Sequence, residues 1–384
     1  MSDIHCRIEG CAGRVTLNRP QALNALTHDI CLTLEAALLA WRGDPAVSHV
    51  VVDGAGDRAF CAGGDITRLY QAGLDRDAEY GRRFWRDEYR LNALIHAYPK
   101  PYIAIMHGFV MGGGVGVAAH GSHRIVTDST RLAMPECGIG LVPDVGGSLL
   151  LARAPGHLGE CLGLTGHRMQ AADCIHAGFA DHYVAPDRIA ELVTALTGDS
   201  DVAAVIATVS EMPGDSVLAS YQPAIDSVFG GADVPAIMAA LDADETLANS
   251  FGRMAAGLAA GSPIALAATL ARIGAPRRAS PPLPGIKHAS RQARLQHQRR
   301  LRTNLSRPLW TGGPVFPAPR ARTKDDAKDA HHNRPGEMMG RWMRNGAMPF
   351  GRSKCANRLW HIDMSGLVNV TDHSLEELAR CNNL

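Results

Sequence analysis

The chain has 384 residues with a formal net charge of +1, and 46% of them are hydrophobic against 20% charged. Those values suit a globular protein and argue against a fibrous or wholly disordered one, and no apolar run reaches the roughly 20 residues a membrane-spanning helix needs. The nine cysteines are odd in number and show no C-x-x-C spacing, which points to reduced thiols rather than a disulfide framework or a zinc site. The opening MSDIHCRIEG has neither a basic nor an apolar secretory stretch, so a cytoplasmic setting is expected.

The small net charge hides an asymmetry. Residues 1–271 carry 18 Lys and Arg against 30 Asp and Glu, whereas residues 272–358 carry 20 against 4. An acidic body and a basic tail are therefore separate problems.

In chain order, GRVTLN (13–18), HVVVDG (49–54), PYIAIMHG (101–108) and HRIVTD (123–128) have the apolar, β-branched character of strands. Between the first two, ALNALTHDICLTLEAALLAW has helical apolar spacing. A second helix is predicted over roughly 79–97, where Phe84, Glu88, Leu91 and Ile95 recur on one stripe and set Glu88 among apolar neighbours. Arg86, Arg90 or Arg124 could pair with that acid. Residues 147–272 read as successive helices, the last being SPIALAATLARIG (262–274), with Ser262 and Pro263 suited to its start. This divides the chain into an α/β unit over 1–200, a helical region over 201–274 and a Pro- and Arg-rich tail over 275–384. The tail loses every apolar period at one point. A reading-frame shift in a GC-rich gene gives that texture, and a genuine disordered extension is the alternative.

Three glycine-rich segments follow strand-like runs: RAFCAGGDI (58–66), HGFVMGGGVG (107–116) and MPECGIGLVPDVGG (134–147). Glycines there let a backbone approach a ligand and aim N–H groups at it. Neither the G-x-G-x-x-G dinucleotide fingerprint nor the Walker phosphate loop occurs. The third segment holds two acids, Glu136 and Asp144, in apolar surroundings, where an unpaired charge is expensive to bury. Asp144 could instead cap the helix beginning at VGGSLLLAR, and Asp65 reads as a turn or cap residue. His107, His120 and His123 lie near the second glycine segment and read as structural groups.

Taken in order, RVTLNRPQALNAL, AFCAGGDI, MGGGVG and MPECGIGLVPDVGG resemble the crotonase (enoyl-CoA hydratase/isomerase) superfamily over roughly residues 5–272. EYRLNALIHAYPKPYIAIMHG, AAHGSHRIVT and the PDVGG ending resemble its 3-hydroxyisobutyryl-CoA hydrolase branch. The resemblance implies an α/β fold, a spiral of ββα units followed by a helical region, with the C-terminal tail irregular. It also implies an oxyanion hole formed by the N–H groups of Gly64 and Gly113, with the helix that starts near Gly113 adding its positive end. Enoyl-CoA hydratases hold water between two glutamates. One matches Glu136, but the other falls at Gly116, so the hydratase pair is broken. Asp144 stands where hydratases carry glycine. The resemblance thus implies thioester hydrolysis with Glu136 and Asp144 catalytic and Glu88, Gly113, Glu136 and Asp144 contacting an acyl-CoA. Glu136 would attack to form a mixed anhydride, or a carboxylate would activate water, and two close acids should titrate apart. No resident cofactor, metal or membrane partner is expected, CoA being part of the substrate, and a homo-oligomer is open. The rivals are enoyl-CoA hydration or isomerisation, and an impaired relative whose basic tail binds nucleic acid; that tail lacks any recognised nucleic-acid-binding signature.

Overall fold

The computed structural model describes residues 2–199, 201–244, 247 and 257–279. The expectations of disorder or a frame shift therefore fall almost wholly outside the described residues.

Seven strands form one sheet: β1 (Ile4–Glu9), β2 (Ala12–Leu17), β3 (His49–Gly54), β5 (Tyr102–Met106), β7 (His123–Val126), β9 (His182–Val184) and β10 (Ser210–Glu211), in that spatial order. The run from β2 to β9 is parallel, and β1 and β10 close its two edges antiparallel. A second sheet holds three parallel strands, β4 (Ala59–Cys61), β6 (Phe109–Met111) and β8 (Arg131–Ala133). Successive pairs β3/β4, β5/β6 and β7/β8 each place their first strand in the large sheet and their second in the small one. That repeated step is the expected spiral.

Side chains alternate across a strand with period two, and the large sheet uses both faces. Val50, Val52, Tyr102, Ala104 and Met106 enter the main core, packed against α1 (His28–Gly43) and α3 (Ala78–His96). Val51, Ile103 and Ile105 enter a smaller core on the other face with Leu192, Leu196, Ile206 and Val209 of α8 (Ile189–Ala195) and α9 (Val202–Val209) and their flanks.

Three boundaries differ from the sequence reading. The first predicted helix starts only at His28, with Thr27 as its cap accepting from the Ile30 N–H. Ahead of it Leu23 and Asn24 take left-handed φ values of 52° and 55°. Asn24 is drawn off the helix by its amide, which accepts from the Arg19 N–H and donates to the carbonyls of Ala55 and Ala59. The stretch 147–272 is not all helical, since β9 and β10 extend the large sheet. The last helix, α13 (Pro263–Ala279), with Ser262 accepting from the Ala265 N–H, runs past the boundary drawn at 275.

Between these lie α4 (Gly113–Ala118), α5 (Gly147–Arg153) and α6 (Leu158–Thr165). Helices beyond residue 200, α11 (Gln222–Phe229), α12 (Val234–Ala243) and α13, send Ile225, Phe229, Ile237, Leu266 and Ile273 into the main core. No described helix is long and apolar enough to cross a membrane.

Candidate active site

The three strands of the small sheet end side by side, and a functional segment leaves the C-terminal end of each. β4 runs into Gly63 and Gly64, β6 into Gly112 and Gly113, and β8 into Pro135 and Glu136. A Cβ on Gly113 would stand 3.2 Å from the Gly64 nitrogen, so the two glycines expected to hold the thioester oxygen do lie together. Among the described residues no backbone carbonyl accepts from either amide. Gly113 opens α4 and has no preceding turn for its N–H to bond.

Both predicted glutamates press on this loop. A Cβ on Gly112 would be 2.6 Å from Glu136 Oε1, and one on Gly113 would be 2.5 Å from Glu88 Oε1. Gly112 has φ 48°, so bare backbone is required there on two grounds. Glu88 and Glu136 are 2% and 5% exposed, and Glu88 Oε1 and Glu136 Oε2 are buried with no hydrogen-bond partner among the described residues. The arginines considered for Glu88 are engaged elsewhere. Arg90 grips Glu35 and Asp87, Arg86 lies near Asp87, and Arg124 forks onto Asp181.

Asp144 completes the group. Its Oδ2 accepts from the Tyr89 hydroxyl at 2.7 Å, so its side chain is not the cap of α5; that place belongs to Gly146. Asp65 is a cap, accepting from the Arg68 N–H and pairing with Arg19 at 3.1 Å. The three histidines diverge. His107 reaches the Gly56 carbonyl, His123 stacks on His182, and His120 Nε2 donates to the Val145 carbonyl at 2.7 Å. Burial pushes His120 down to about 4, so it is a neutral donor at neutral pH. It holds a strained turn, since Val145 is a β-branched residue at φ 47° directly after Asp144.

The three carboxyls act on one another. Burial first, then the charge of Asp144, pushes Glu88 and Glu136 well above the ordinary range, and Glu88 pushes Glu136 further. Burial raises Asp144 to about 6, against the Tyr89 hydrogen bond, a backbone hydrogen bond and the positive charge of Arg272. Of the three, Glu88 and Glu136 are thus pushed upward by the charge of Asp144 as well as by burial.

At Gly116 there is no space for a side chain. A Cβ would be 2.7 Å from Val145 Cβ and 2.8 Å from Asn92 Nδ2. Sequence reasoning passed over Asn92, Tyr89 and Arg272. Asn92 lies one turn beyond Glu88 on the same helix face, a spacing that could have singled it out. Arg272 was counted with the basic tail, and nothing local distinguishes it.

A family profile described as enoyl-CoA hydratase/isomerase matches residues 12–283. The chain is 41% identical over 245 residues to the 3-hydroxyisobutyryl-CoA hydrolase, mitochondrial, of Xenopus tropicalis, covering 61% of this chain and 63% of that protein. It is 39% identical over 246 residues to the human protein of the same name, covering 62% and 64%. It thus spans a little under two thirds of the length of these relatives. Among solved structures it is similar to a carnitinyl-CoA dehydratase from Mycobacterium thermoresistibile, with TM-score 0.69 and 46% identity over 78% of this chain and 85% of the other. An enoyl-CoA hydratase from Rhodobacter sphaeroides gives 0.67 and 46% over 75% and 82%. With the two-sheet spiral, the paired glycine loops and a family match over well more than half of its length, this chain belongs to the enoyl-CoA hydratase/isomerase family.

Proposed function

We propose that this protein hydrolyses a short 3-hydroxyacyl-CoA thioester, with 3-hydroxyisobutyryl-CoA, an intermediate of valine breakdown, as its substrate. The observation that carries this reading is the acid cluster at the glycine loop: Glu88, Glu136 and Asp144 are gathered there, while the position of the second hydratase acid is a glycine with its surroundings filled. The names of the curated relatives agree with it. The two solved relatives are named as a dehydratase and a hydratase, and a site with one acid missing and no room for it speaks against carrying those activities over.

In this reading the thioester oxygen accepts from the N–H groups of Gly64 and Gly113 as it gains negative charge, a contribution of roughly 10²–10³ in rate per donor. Water adds to the acyl carbon as the Asp144 carboxylate takes its proton. The C–S bond then breaks, and the sulfur leaves as the CoA thiol with the proton of Glu136. The alternative is direct attack by Glu136 Oε1, which lies against Gly112; once its proton has gone it would form a mixed anhydride as the C–S bond breaks and CoA leaves. A single turnover in ¹⁸O-water tests the anhydride: water opening it at the Glu136 carbonyl leaves the label in the Glu136 side chain and an unlabelled glutamate oxygen in the product acid, whereas water activated by Asp144 places the label in the product acid alone.

The setting we propose is cytoplasmic, with an acyl-CoA as the partner and no resident cofactor. Seven free cysteines among the described residues suit a reducing compartment, and cell fractionation tests this, since the animal relatives carry "mitochondrial" in their names. Purified protein should release thiol from 3-hydroxyisobutyryl-CoA and hydrate crotonyl-CoA poorly by comparison. Efficient hydration without thiol release overturns the proposal.

A further inference from the structure

Helix α3 delivers a fourth polar group beside the acids. Asn92 is 5% exposed, and both its Nδ2 and its Oδ1 are buried without a hydrogen-bond partner among the described residues. Buried amides are almost always satisfied, and leaving one unmade at both ends is unfavourable. Packing alone would be served by an apolar side chain of the same size. The amide is therefore kept for something that enters the site.

Its position says what that is. Glu88 and Asn92 are four residues apart on one helix face, so the amide stands one turn along from the carboxyl that touches Gly113. On the facing helix it meets Gly116, three residues beyond the expected thioester-oxygen donor Gly113, at the point where a Cβ would come within 2.8 Å of Nδ2. An acyl group with its carbonyl oxygen on the Gly113 N–H and its chain directed toward α3 would bring its third carbon toward this amide. A hydroxyl there is both donor and acceptor, and a primary amide is the neutral side chain that offers both.

We propose that Asn92 is the specificity residue for the 3-hydroxyl of the acyl group, its oxygen accepting the substrate O–H and its Nδ2 donating to the hydroxyl oxygen. Saturated and 2-enoyl chains leave both ends of the amide unpaired and are discriminated against. The inference deepens the thioesterase reading and rests on it for its substrate.

The test compares 3-hydroxyisobutyryl-CoA with isobutyryl-CoA by thiol release, in the wild type and in Asn92→Leu, which keeps the branching and number of heavy atoms but has no polar group. Binding of the two carbon-for-sulfur ketone analogues, which cannot be hydrolysed, is measured alongside. The wild type should favour the hydroxylated thioester by roughly 10²-fold or more in kcat/KM, because a site built to bond a hydroxyl rejects the analogue without it. In Asn92→Leu that ratio should collapse to within a few-fold, with the same collapse in the relative affinities of the ketones. If Asn92→Leu does not fold, as judged by circular dichroism, Asn92→Ser, which keeps a hydroxyl, should give an intermediate ratio. A preference that survives in the variants, or equal losses on both substrates, overturns the assignment. Wild-type protein that releases no thiol yet still prefers the hydroxylated ketone in an Asn92-dependent way overturns the thioesterase reading and upholds that of Asn92.

Discussion

Asp144 is the acid of the three whose carboxyl accepts from another side chain, the Tyr89 hydroxyl. Replacing the charged atom without changing size separates chemistry from fold. Asp144→Asn and Glu136→Gln should each lower turnover by roughly 10²-fold or more in a thiol-release assay, the usual scale for losing an acid or base. The same changes should stabilise the protein. An acid whose pKa is raised on folding contributes stability that is full below its unfolded value, here about 3.8, and is lost as pH rises through its folded value, here about 6. At neutral pH the wild type has lost that contribution. The full shift corresponds to about 3 kcal/mol; Asp144 keeps some solvent contact, so a gain of about 1–2 kcal/mol is expected for Asp144→Asn at pH 8. Thermal melts check it: the variant should melt a few degrees above the wild type at pH 8, and the gap should close toward pH 4. An unchanged gap across that range would mean that Asp144 is not held above its ordinary value.

At the scale of elements, α3 and α4 face each other across the site and determine which chemistry has room. Glycine inside a helix is ordinarily worse than alanine by roughly 0.5–1 kcal/mol, so Gly116→Ala would be stabilising if nothing stood nearby. Val145 and Asn92 stand too close for that. Gly116→Ala should instead destabilise by about 1–3 kcal/mol, the range for overpacking, read from chemical denaturation. Gly116→Glu, which restores the residue type of the hydratase pair, should be less stable still and gain no crotonyl-CoA hydration. Hydration appearing at wild-type stability would show that the second acid can be accommodated. The turn after Asp144 belongs to the same pair of elements: His120, just beyond α4, holds the Val145 carbonyl, and a Cβ on Gly146 would meet the His120 ring at 2.5 Å.

Across the whole molecule, α13 closes the acid cluster from a remote part of the chain. The Ser262 N–H donates to the Cys137 carbonyl, Cys137 Sγ meets Thr269 Oγ1 at 3.2 Å, and Ile273 fits against Gly163 of α6. That packing steadies the turn bearing Glu136 and brings the charge of Arg272 to bear on Asp144, while burial pushes Arg272 itself down. Arg272 Nε is buried without a partner among the described residues. Arg272→Gln removes a charge that favours the ionised carboxylate, so Asp144 should hold its proton to higher pH and the acid limb of the kcat/KM profile should move upward. An unmoved limb would mean that the arginine charge is screened from the site.

The long elements and the chemically active residue types can be read from the amino-acid order. Apolar periodicity marks β3 at its observed ends and α3 to within a residue, because burial on a defined face is written into local spacing. The glycine segments and the acids Glu88, Glu136 and Asp144 stood out locally as unusual residue types in apolar surroundings, and the family resemblance joined them into one expected site. Everything that depends on neighbours distant in sequence emerges only with the fold. The strands of the small sheet are three residues each, too short to carry a period, yet their three ends assemble the site. Asn24 broke the first predicted helix through bonds to Ala55 and Ala59. Tyr89, 55 residues from Asp144, became its donor, and Arg272 left the basic tail of the sequence for the acid cluster. Local sequence fixes which groups a segment carries, but the depth at which they are buried, and hence their protons, follows from which segments the topology brings together.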